Sequence, residues 1–231
     1  MNTDHPQISV IMPAYNVALY IATAIDSVLA QSFQNWELII VNDASTDETE
    51  SIIQAYSDPR IRYIPSTKLG KPSKVRNVGL SLARGEFVTF LDSDDAYYPQ
   101  ALETLLTPFS ENLDLNAVTA FPYYCDSQLK PIHCPPELVH QTETTFGFNP
   151  SYALTWQAIC AQEIAFFLSA LMIRRSVATQ LGPLDENLTT SEDFKYYIQL
   201  FQLGFEKVQV LPVCTYLYRN HKSSVTKDAL R

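Results

Sequence analysis

Gly85-Glu86-Phe87-Val88-Thr89-Phe90-Leu91-Asp92-Ser93-Asp94-Asp95 is the stretch from which the rest of the chain can be read. Phe87 to Leu91 carries no charge, is rich in aromatic and β-branched side chains, and follows Arg84-Gly85, the pattern of a core strand. It stops abruptly in three acids within four residues. A strand that delivers Asp92 and Asp94 to its carboxyl end places them where open α/β sheets bind ligands. Carboxylates that close repel one another, and a hard divalent cation bridging to phosphate oxygens relieves the repulsion. Asp-x-Asp after such a strand therefore points to a metal–diphosphate site. An acidic turn that caps the next helix is the plainer alternative.

Upstream, strand and helix patterns alternate. Ile8 to Met12 is a short strand halted by Pro13, and Leu19 to Ala30 has helical spacing through Ile21, Ile25, Val28 and Leu29. Glu37 to Val41 is a second strand ending at Asn42-Asp43. Ser45 and Glu48 have the spacing of a capping box, which predicts a helix from there to about Tyr56. Arg60 to Ile64 is a third strand, and Ser73 to Ala83 a helix. Short links between alternating strands and helices predict a mainly parallel sheet in a three-layer arrangement. Downstream, the spacing predicts a helix over Gln100 to Phe109, a strand over Val118 to Phe121 and an irregular Pro-rich stretch over 131–150. Phe166 to Ile173 reads as another core strand, Ser176 to Leu181 as a short helix, and Ser191 as the N-cap of a helix running to Gly204. Val208 to Leu211 and Thr215 to Tyr218 close the pattern as two strands. With no internal repeat or linker, residues 1–231 are expected to form one domain.

The 231 residues are long enough for a sizeable core, and 46% hydrophobic with 18% charged residues is a globular composition. The net charge of −9 argues against a nucleic-acid footprint. Cys125, Cys134, Cys160 and Cys214 form no Cys-x-x-Cys pair, and reduced thiols in a cytoplasmic protein are expected. The apolar stretch from Ile164 to Ile173 is too short to span a bilayer, which leaves peripheral membrane attachment open. Neither Gly-x-Gly-x-x-Gly nor a Walker phosphate loop is present, and 6 glycines are few for a Gly-rich cradle, so a cation is the better holder of phosphates.

In a parallel sheet, Asp43 and the Asp92/Asp94 pair share one rim. An acceptor at Asp43 suits the ring N–H of a pyrimidine base, although a turn role competes. Lys68, Lys71, Lys74 and Arg76 make a local cationic patch, in which Arg76 suits a bidentate grip on a diphosphate and the lysines suit a solvated face. Gly79 permits a strand or ligand to come close. Glu192 and Asp193 fall in a first helical turn, where the macrodipole favours carboxylates. Either could take a proton from an acceptor hydroxyl, and because neighbours point about 100° apart only one faces the reacting centre. His221, in a polar tail with Arg219, Ser223 and Thr226, fits a flap over phosphates or metal.

Five blocks in this order resemble the inverting glycosyltransferases of family 2: Pro13-Ala14-Tyr15-Asn16, Val41-Asn42-Asp43-Ala44-Ser45-Thr46-Asp47, Arg76-Asn77-x-Gly79, Phe90-Leu91-Asp92-Ser93-Asp94-Asp95, and Ser191-Glu192-Asp193. The resemblance implies a GT-A fold, a Rossmann-like three-layer α/β/α domain with a mainly parallel mixed sheet. It implies a nucleotide-binding half over about 1–98 and an acceptor-binding, catalytic half over about 99–231. The implied activity is metal-dependent transfer of a sugar, with inversion, from a nucleoside-diphosphate sugar. UDP is the default nucleotide, with GDP and dTDP as alternatives. The acceptor is a hydroxyl on a glycan, a lipid-linked species or another glycoconjugate. Pro13, Ala14, Tyr15 and Asp43 would line the base pocket, Arg76 would approach the nucleotide, and Asp92 with Ser93 would lie by the ribose. Asp94 and His221 would hold Mn2+ or Mg2+, Asp193 would be the base, and Glu192 would contact or support the acceptor.

The chain departs from the family where Gly70-Lys71-Pro72-Ser73-Lys74-Val75 precedes Arg76, with a rigid Pro72 and added cations. Cys134-Pro135-Pro136 falls in the acceptor half, and little follows the closing motif, so no longer acceptor module is expected here. A sugar-phosphate nucleotidyltransferase and a non-catalytic binding relative remain the competing readings.

Overall fold

The computed structural model describes residues 5–133, 152–153, 155, 167–188 and 190–221. Cys134, Cys160, the Pro-rich stretch beyond His133, Phe166, Ser223 and Thr226 lie outside these residues.

The elements run β1 (Ile8–Ala14), α1 (Ile21–Leu29), β2 (Trp36–Asn42), α2 (Thr49–Gln54), β3 (Ile61–Pro65), α3 (Pro72–Leu82), β4 (Phe87–Phe90), β5 (Ala96–Tyr97), α4 (Ala101–Glu111) and β6 (Ala117–Cys125). There follow β7 (Pro131–His133), β8 (Tyr152–Ala153), a 3-10 turn (Leu168–Ala170), β9 (Leu171–Arg174), α5 (Arg175–Leu181), α6 (Glu192–Gln202) and β10 (Val208–Arg219). The sheet order is β3-β2-β1-β4-β9-β6-β10-β5, with β7 on β6 and β8 on β10. Strands β3, β2, β1 and β4 pair in parallel, and so do β6 and β10. Strand β9 is antiparallel to both of its neighbours and joins the two parallel groups.

Strict alternation along buried strands sorts side chains between two helical layers. Ile8, Val10, Met12, Leu38 and Ile40 join α1 and α4 on one face through Ile21, Ile25, Val28, Leu102 and Leu105. Ile11, Val88, Phe90 and Ile173 meet α5 and α6 on the other, where Ile39 and Val41 meet Val75 of α3. The three-layer α/β/α expectation is met. Gly79 is required for close approach: a Cβ there would sit 2.5 Å from Ile11 Cγ2, so α3 lies directly on β1. Among the described residues no helix is long and apolar enough to cross a membrane.

Four local expectations need correction. Apolarity over Phe166 to Ile173 does not form one strand; Leu168–Ala170 coils into a 3-10 turn before β9. The Ser45–Glu48 capping box does not form, because Ser45 N–H and Oγ both turn onto Asn42 Oδ1, and Thr49 N–H is instead satisfied by Asp47. Pro13 does not halt β1, which runs on through Ala14 with Pro13 opposite Val41; Ser191 is the N-cap of α6 as expected, in a left-handed conformation (φ 64°) without a side-chain cap bond. The two closing strands are one, β10, broken in register between Val210 and Cys214 and again before Tyr216. The short β5 had no visible sequence signal.

Candidate active site

The chain steps outward from β1 to β2 to β3, then returns through α3 to β4 on the other side of β1. The carboxyl ends of β1 and β4 therefore flank the switch in strand order, the crevice where such sheets take ligands. Pro13 and Ala14 end β1 there, and Tyr15 follows. Ala14 is buried and Tyr15 is 42% exposed. Lys68 Nζ donates to Tyr15 Oη at 3.2 Å and lies 5.1 Å from the ring centroid.

Asp43, one residue past β2, is buried. Its N–H donates to Ala14 O at 2.8 Å, which fixes the ends of β1 and β2 side by side. Its carboxylate accepts the backbone N–H of Leu69 and, at 2.9 Å, that of Gly70. Asp43 thus orders the loop ahead of α3 as well as facing the rim, a contact that sequence spacing did not disclose.

Arg76 lies in the middle of α3 with its side chain only 8% exposed. Its Nη2 meets Asp92 Oδ1 at 2.5 Å and its Nη1 meets Glu192 Oε1 at 2.8 Å. Burial alone disfavours the guanidinium charge, but the adjacent Asp92 and Glu192 overcome that and raise its pKa. Arg76, expected to suit a bidentate grip on a diphosphate, here uses that grip on two carboxylates. The guanidinium is already bridging the β4 end to the start of α6, with Nε buried and unpartnered. Its neighbour Asn77 does the same by another route. Asn77 Nδ2 donates to Leu184 O at 3.0 Å and its Oδ1 accepts Leu184 N–H at 2.8 Å. Lys71 Nζ adds bonds to Glu186 O and Asn187 O, both 2.9 Å. Helix α3 therefore fixes the segment leading into α6, with partners more than a hundred residues away.

In the β4–β5 loop, Ser93 is buried, and Asp92 N–H donates to Ser169 Oγ at 3.3 Å. Asp94 Oδ2 lies 2.8 Å from His221 Nε2. Burial, then the neighbouring Asp92, raise the Asp94 pKa, and His221 opposes the rise. Asp95 is 2% exposed and accepts Arg219 N–H at 2.8 Å. Burial, then Asp94 and Asp92, push its carboxyl well up. Arg219 completes the closure by donating from Nε to Asp94 O and from Nη1 to Ser127 O, each at 2.6 Å. The end of β10 is thereby fastened over the acidic loop.

Asp193, in the first turn of α6, is pushed up to about 6. Burial is the main cause; its own hydrogen bond from Phe194 N–H (2.7 Å) opposes, Glu192 adds to the rise, Arg76 lowers it and Asp92 raises it. That Asp193 feels Arg76, Glu192 and Asp92 together places both acidic segments in one electrostatic neighbourhood.

The sequence-predicted residues thus converge on a single rim: Asp43, Asp92 and Asp94 from strand ends, Arg76 from α3, Glu192 and Asp193 from α6, and His221 from the end of β10. Sequence reading gave Asp95, Arg219, Asn77 and Ser169 no individual role; the acid run and the polar tail marked two of them, and nothing marked Ser169. Asp94 and His221 fit a divalent cation as partial ligands. Among the described residues no three His, Cys, Asp or Glu form a closed metal cage. An open pair suits a cation that takes its remaining ligands from phosphate oxygens, the usual mode of Mg2+ beside one or two carboxylates. The mutual charge of Asp92, Asp94 and Asp95 is what such a cation would offset.

The model of glycosyl transferase family 2 matches residues 9–182, which covers the rim as far as β9 and α5 but stops short of α6 and His221. The uncharacterized glycosyltransferase EpsJ of Bacillus subtilis (strain 168) is 32% identical over 227 residues, covering 96% of this chain and 63% of EpsJ. The putative teichuronic acid biosynthesis glycosyltransferase TuaG of the same organism is 37% identical over 207 residues, covering 89% of this chain and 76% of TuaG. The chain spans about three-fifths of the length of several such relatives, including 61% of an uncharacterized glycosyltransferase of Rickettsia prowazekii. Among solved structures, S. aureus TarS 1-349 in complex with UDP-GlcNAc superposes with a TM-score of 0.77 at 23% identity, covering 94% of this chain and 60% of that one. A mannosyltransferase of Pyrobaculum calidifontis in complex with GDP-Man and Mn2+ gives a TM-score of 0.72 at 18% identity, covering 95% of this chain and 59% of that one. These two likenesses establish the fold. With the family model across most of its length and relatives at these identities, the chain belongs to glycosyl transferase family 2.

Proposed function

We propose that this chain transfers a sugar from a UDP-sugar to a hydroxyl acceptor with inversion at the anomeric carbon, in the synthesis of a cell-surface polysaccharide or related glycoconjugate. The observation that carries the reading is the convergence of Asp92 and Asp94, at the end of β4, with Asp193, at the start of α6, across the Arg76 bridge. TuaG's printed role in teichuronic acid biosynthesis supports the polysaccharide setting, and the UDP-GlcNAc and Mn2+ complexes of the two structural neighbours support the nucleotide and the cation.

In this reading residues 1–98 hold the donor and residues 99–231 the acceptor and the base. Pro13, Ala14, Tyr15 and Asp43 border the base, and Asp92 with Ser93 the ribose. Asp94 and His221 would hold Mn2+ or Mg2+, which would supply positive charge beside the diphosphate. Asp193 accepts the proton of the acceptor hydroxyl. The acceptor oxygen then bonds to the anomeric carbon on the face opposite the departing UDP, whose oxygen takes the electron pair of the broken bond. A carboxylate with a pKa of about 6 is matched to this task, being mostly ionised near neutrality yet more basic than an ordinary aspartate. Arg76 keeps Glu192 and Asp92 paired, which leaves Asp193 to take the proton.

A screen of UDP-, GDP- and dTDP-sugars, with and without Mn2+, tests the reading through nucleoside diphosphate release and thermal stabilisation. A bound donor stabilises the native state, so it is detectable without a known acceptor. UDP-sugars should stabilise only with the cation present. Pyrophosphate release from a nucleoside triphosphate and a sugar 1-phosphate, run alongside, would favour nucleotidyl transfer, and stabilisation without any turnover of any donor would favour a binding relative.

A further inference from the structure

We infer that Tyr20 is a positioning residue for the cation site, pressing His221 and Arg219 onto the β4–β5 loop from the opposite side. The inference rests on the proposed cation role of Asp94 and His221, and concerns how that pair is held.

Tyr20 sits at the N-cap of α1, where its N–H donates to Val17 O at 2.9 Å, so its backbone is fixed by the turn that starts the helix. Its ring centroid lies 4.6 Å from that of His221, tilted by 36°. The Arg219 guanidinium carbon lies 4.8 Å from the same centroid. One ring thus contacts both side chains by which the end of β10 reaches the acidic loop: His221 to Asp94 Oδ2, and Arg219 to Asp94 O and Ser127 O. The partners of the ring are an imidazole and a cation, each attracted to a π-face. Both contacts are made with the ring.

The physical consequence is preorganisation. His221 lies at the end of a strand, and an untethered imidazole there must be ordered when the cation and diphosphate arrive. With the ring of Tyr20 behind it, the imidazole is already within hydrogen-bond distance of Asp94. Arg219 benefits in the same way: its backbone N–H is held on Asp95, and its side chain is covered by Tyr20. The role is distinct from that of Tyr15, whose exposed ring pairs with Lys68 beside the β1 end.

The test compares Tyr20→Ala, Tyr20→Phe, His221→Ala and, as a neighbouring control, Leu19→Ala, whose side chain is 85% exposed. The first readout needs no ligand: hydrogen exchange at the amides of Arg219 and Asn220, which donate to Asp95 Oδ1 and Cys125 O. Tyr20→Ala should speed that exchange by about three- to tenfold, the range set by one aromatic contact, while Tyr20→Phe and Leu19→Ala leave it unchanged. The second readout is calorimetry of UDP binding in the presence of Mn2+, where Tyr20→Ala should weaken affinity by a similar factor and Tyr20→Phe should restore it. Unchanged exchange and affinity in Tyr20→Ala would overturn the inference. If His221→Ala still lost cation-dependent affinity, the cation reading would survive that failure. If His221→Ala bound like the parent protein, the cation role itself would fall, and the inference with it. Circular dichroism and thermal melting of each variant separate these outcomes from misfolding.

Discussion

Asp193→Asn should abolish transfer and at the same time stabilise the protein, and the gain should grow with pH. An ordinary aspartate titrates near 3.8, whereas Asp193 in the folded chain is pushed up to about 6, chiefly by burial. Between those values the folded state holds a proton that the unfolded chain has released. The folded state is therefore at no disadvantage below about pH 4, loses stability as pH rises through the window from about 4 to 6, and carries the full cost above it. Over the whole window the cost is about 3 kcal/mol at most, of which about half is already present at pH 5. Asparagine has no charge to desolvate and retains an oxygen to accept the Phe194 N–H bond, so it removes most of that cost. Chemical unfolding at about pH 5 and about pH 8 should show the variant ahead at both, by a margin about 1.5 kcal/mol larger at pH 8. In a thermal melt at pH 8 the full effect corresponds to an increase of about 6–12 °C for a chain of this size. UDP affinity should be kept, and turnover should fall by about 10²–10⁴-fold, the share typical of a general base. A variant no more stable than its parent at either pH, or one whose advantage shrinks as pH rises, would refute the argument that burial raises this carboxylate. A variant with parental turnover would refute its role as base.

Arg76→Met takes away the buried counter-charge of two acids. It should cost about 3–5 kcal/mol, nearer the lower figure because the Asp92 side chain is 36% exposed, and shift the acidic limb of the rate profile to higher pH, as seen in chemical unfolding and a pH–rate series. Asn77→Ala strips both partners from the Leu184 backbone and should lower stability by about 1–3 kcal/mol in the same unfolding assay, while UDP affinity in calorimetry stays as it was. Asp94→Asn should eliminate the Mn2+ dependence of UDP binding. In the parent protein that binding should weaken as pH is lowered, since a proton on Asp94, whose pKa burial raises, competes with the cation, and calorimetry at mildly acidic and mildly alkaline pH reads the difference.

The central strands could be read from sequence because β1, β2 and β4 are buried on both faces and read as near-continuous apolar runs, with Asn42-Asp43 and the acid run marking the ends of β2 and β4, while β1 continues one residue past the Pro13 expected to halt it. The same criterion misjudged Phe166 to Ile173. Apolarity reports burial, and the 3-10 turn at Leu168–Ala170 is as buried as the strand after it. The two helix starts read from serines fared differently. Ser191 is the N-cap of α6, whereas an Asn42 side chain 3.1 Å from Ser45 N–H offers a competing turn that takes Ser45 away from α2. In the candidate site, residue types and their shared rim followed from strand connectivity. Pairing did not: Glu192, one of the two partners of Arg76, is 116 positions away, the His221 partner of Asp94 is 127 away, and no local pattern encodes such contacts. Hence Arg76 read as a free cation, and Tyr20 did not stand out at all.

The central claim is that Asp94 and His221 hold a cation on the diphosphate while Asp193 waits on the far side of the sugar. Anomalous scattering from Mn2+ in crystals grown with UDP tests it most directly. One strong peak about 2 Å from an Asp94 oxygen and from a His221 nitrogen, with UDP phosphate oxygens completing the shell and Asp193 free of metal, is the result expected. A peak held by Asp193, or a UDP bound away from the carboxyl ends of β1 and β4, would contradict the account.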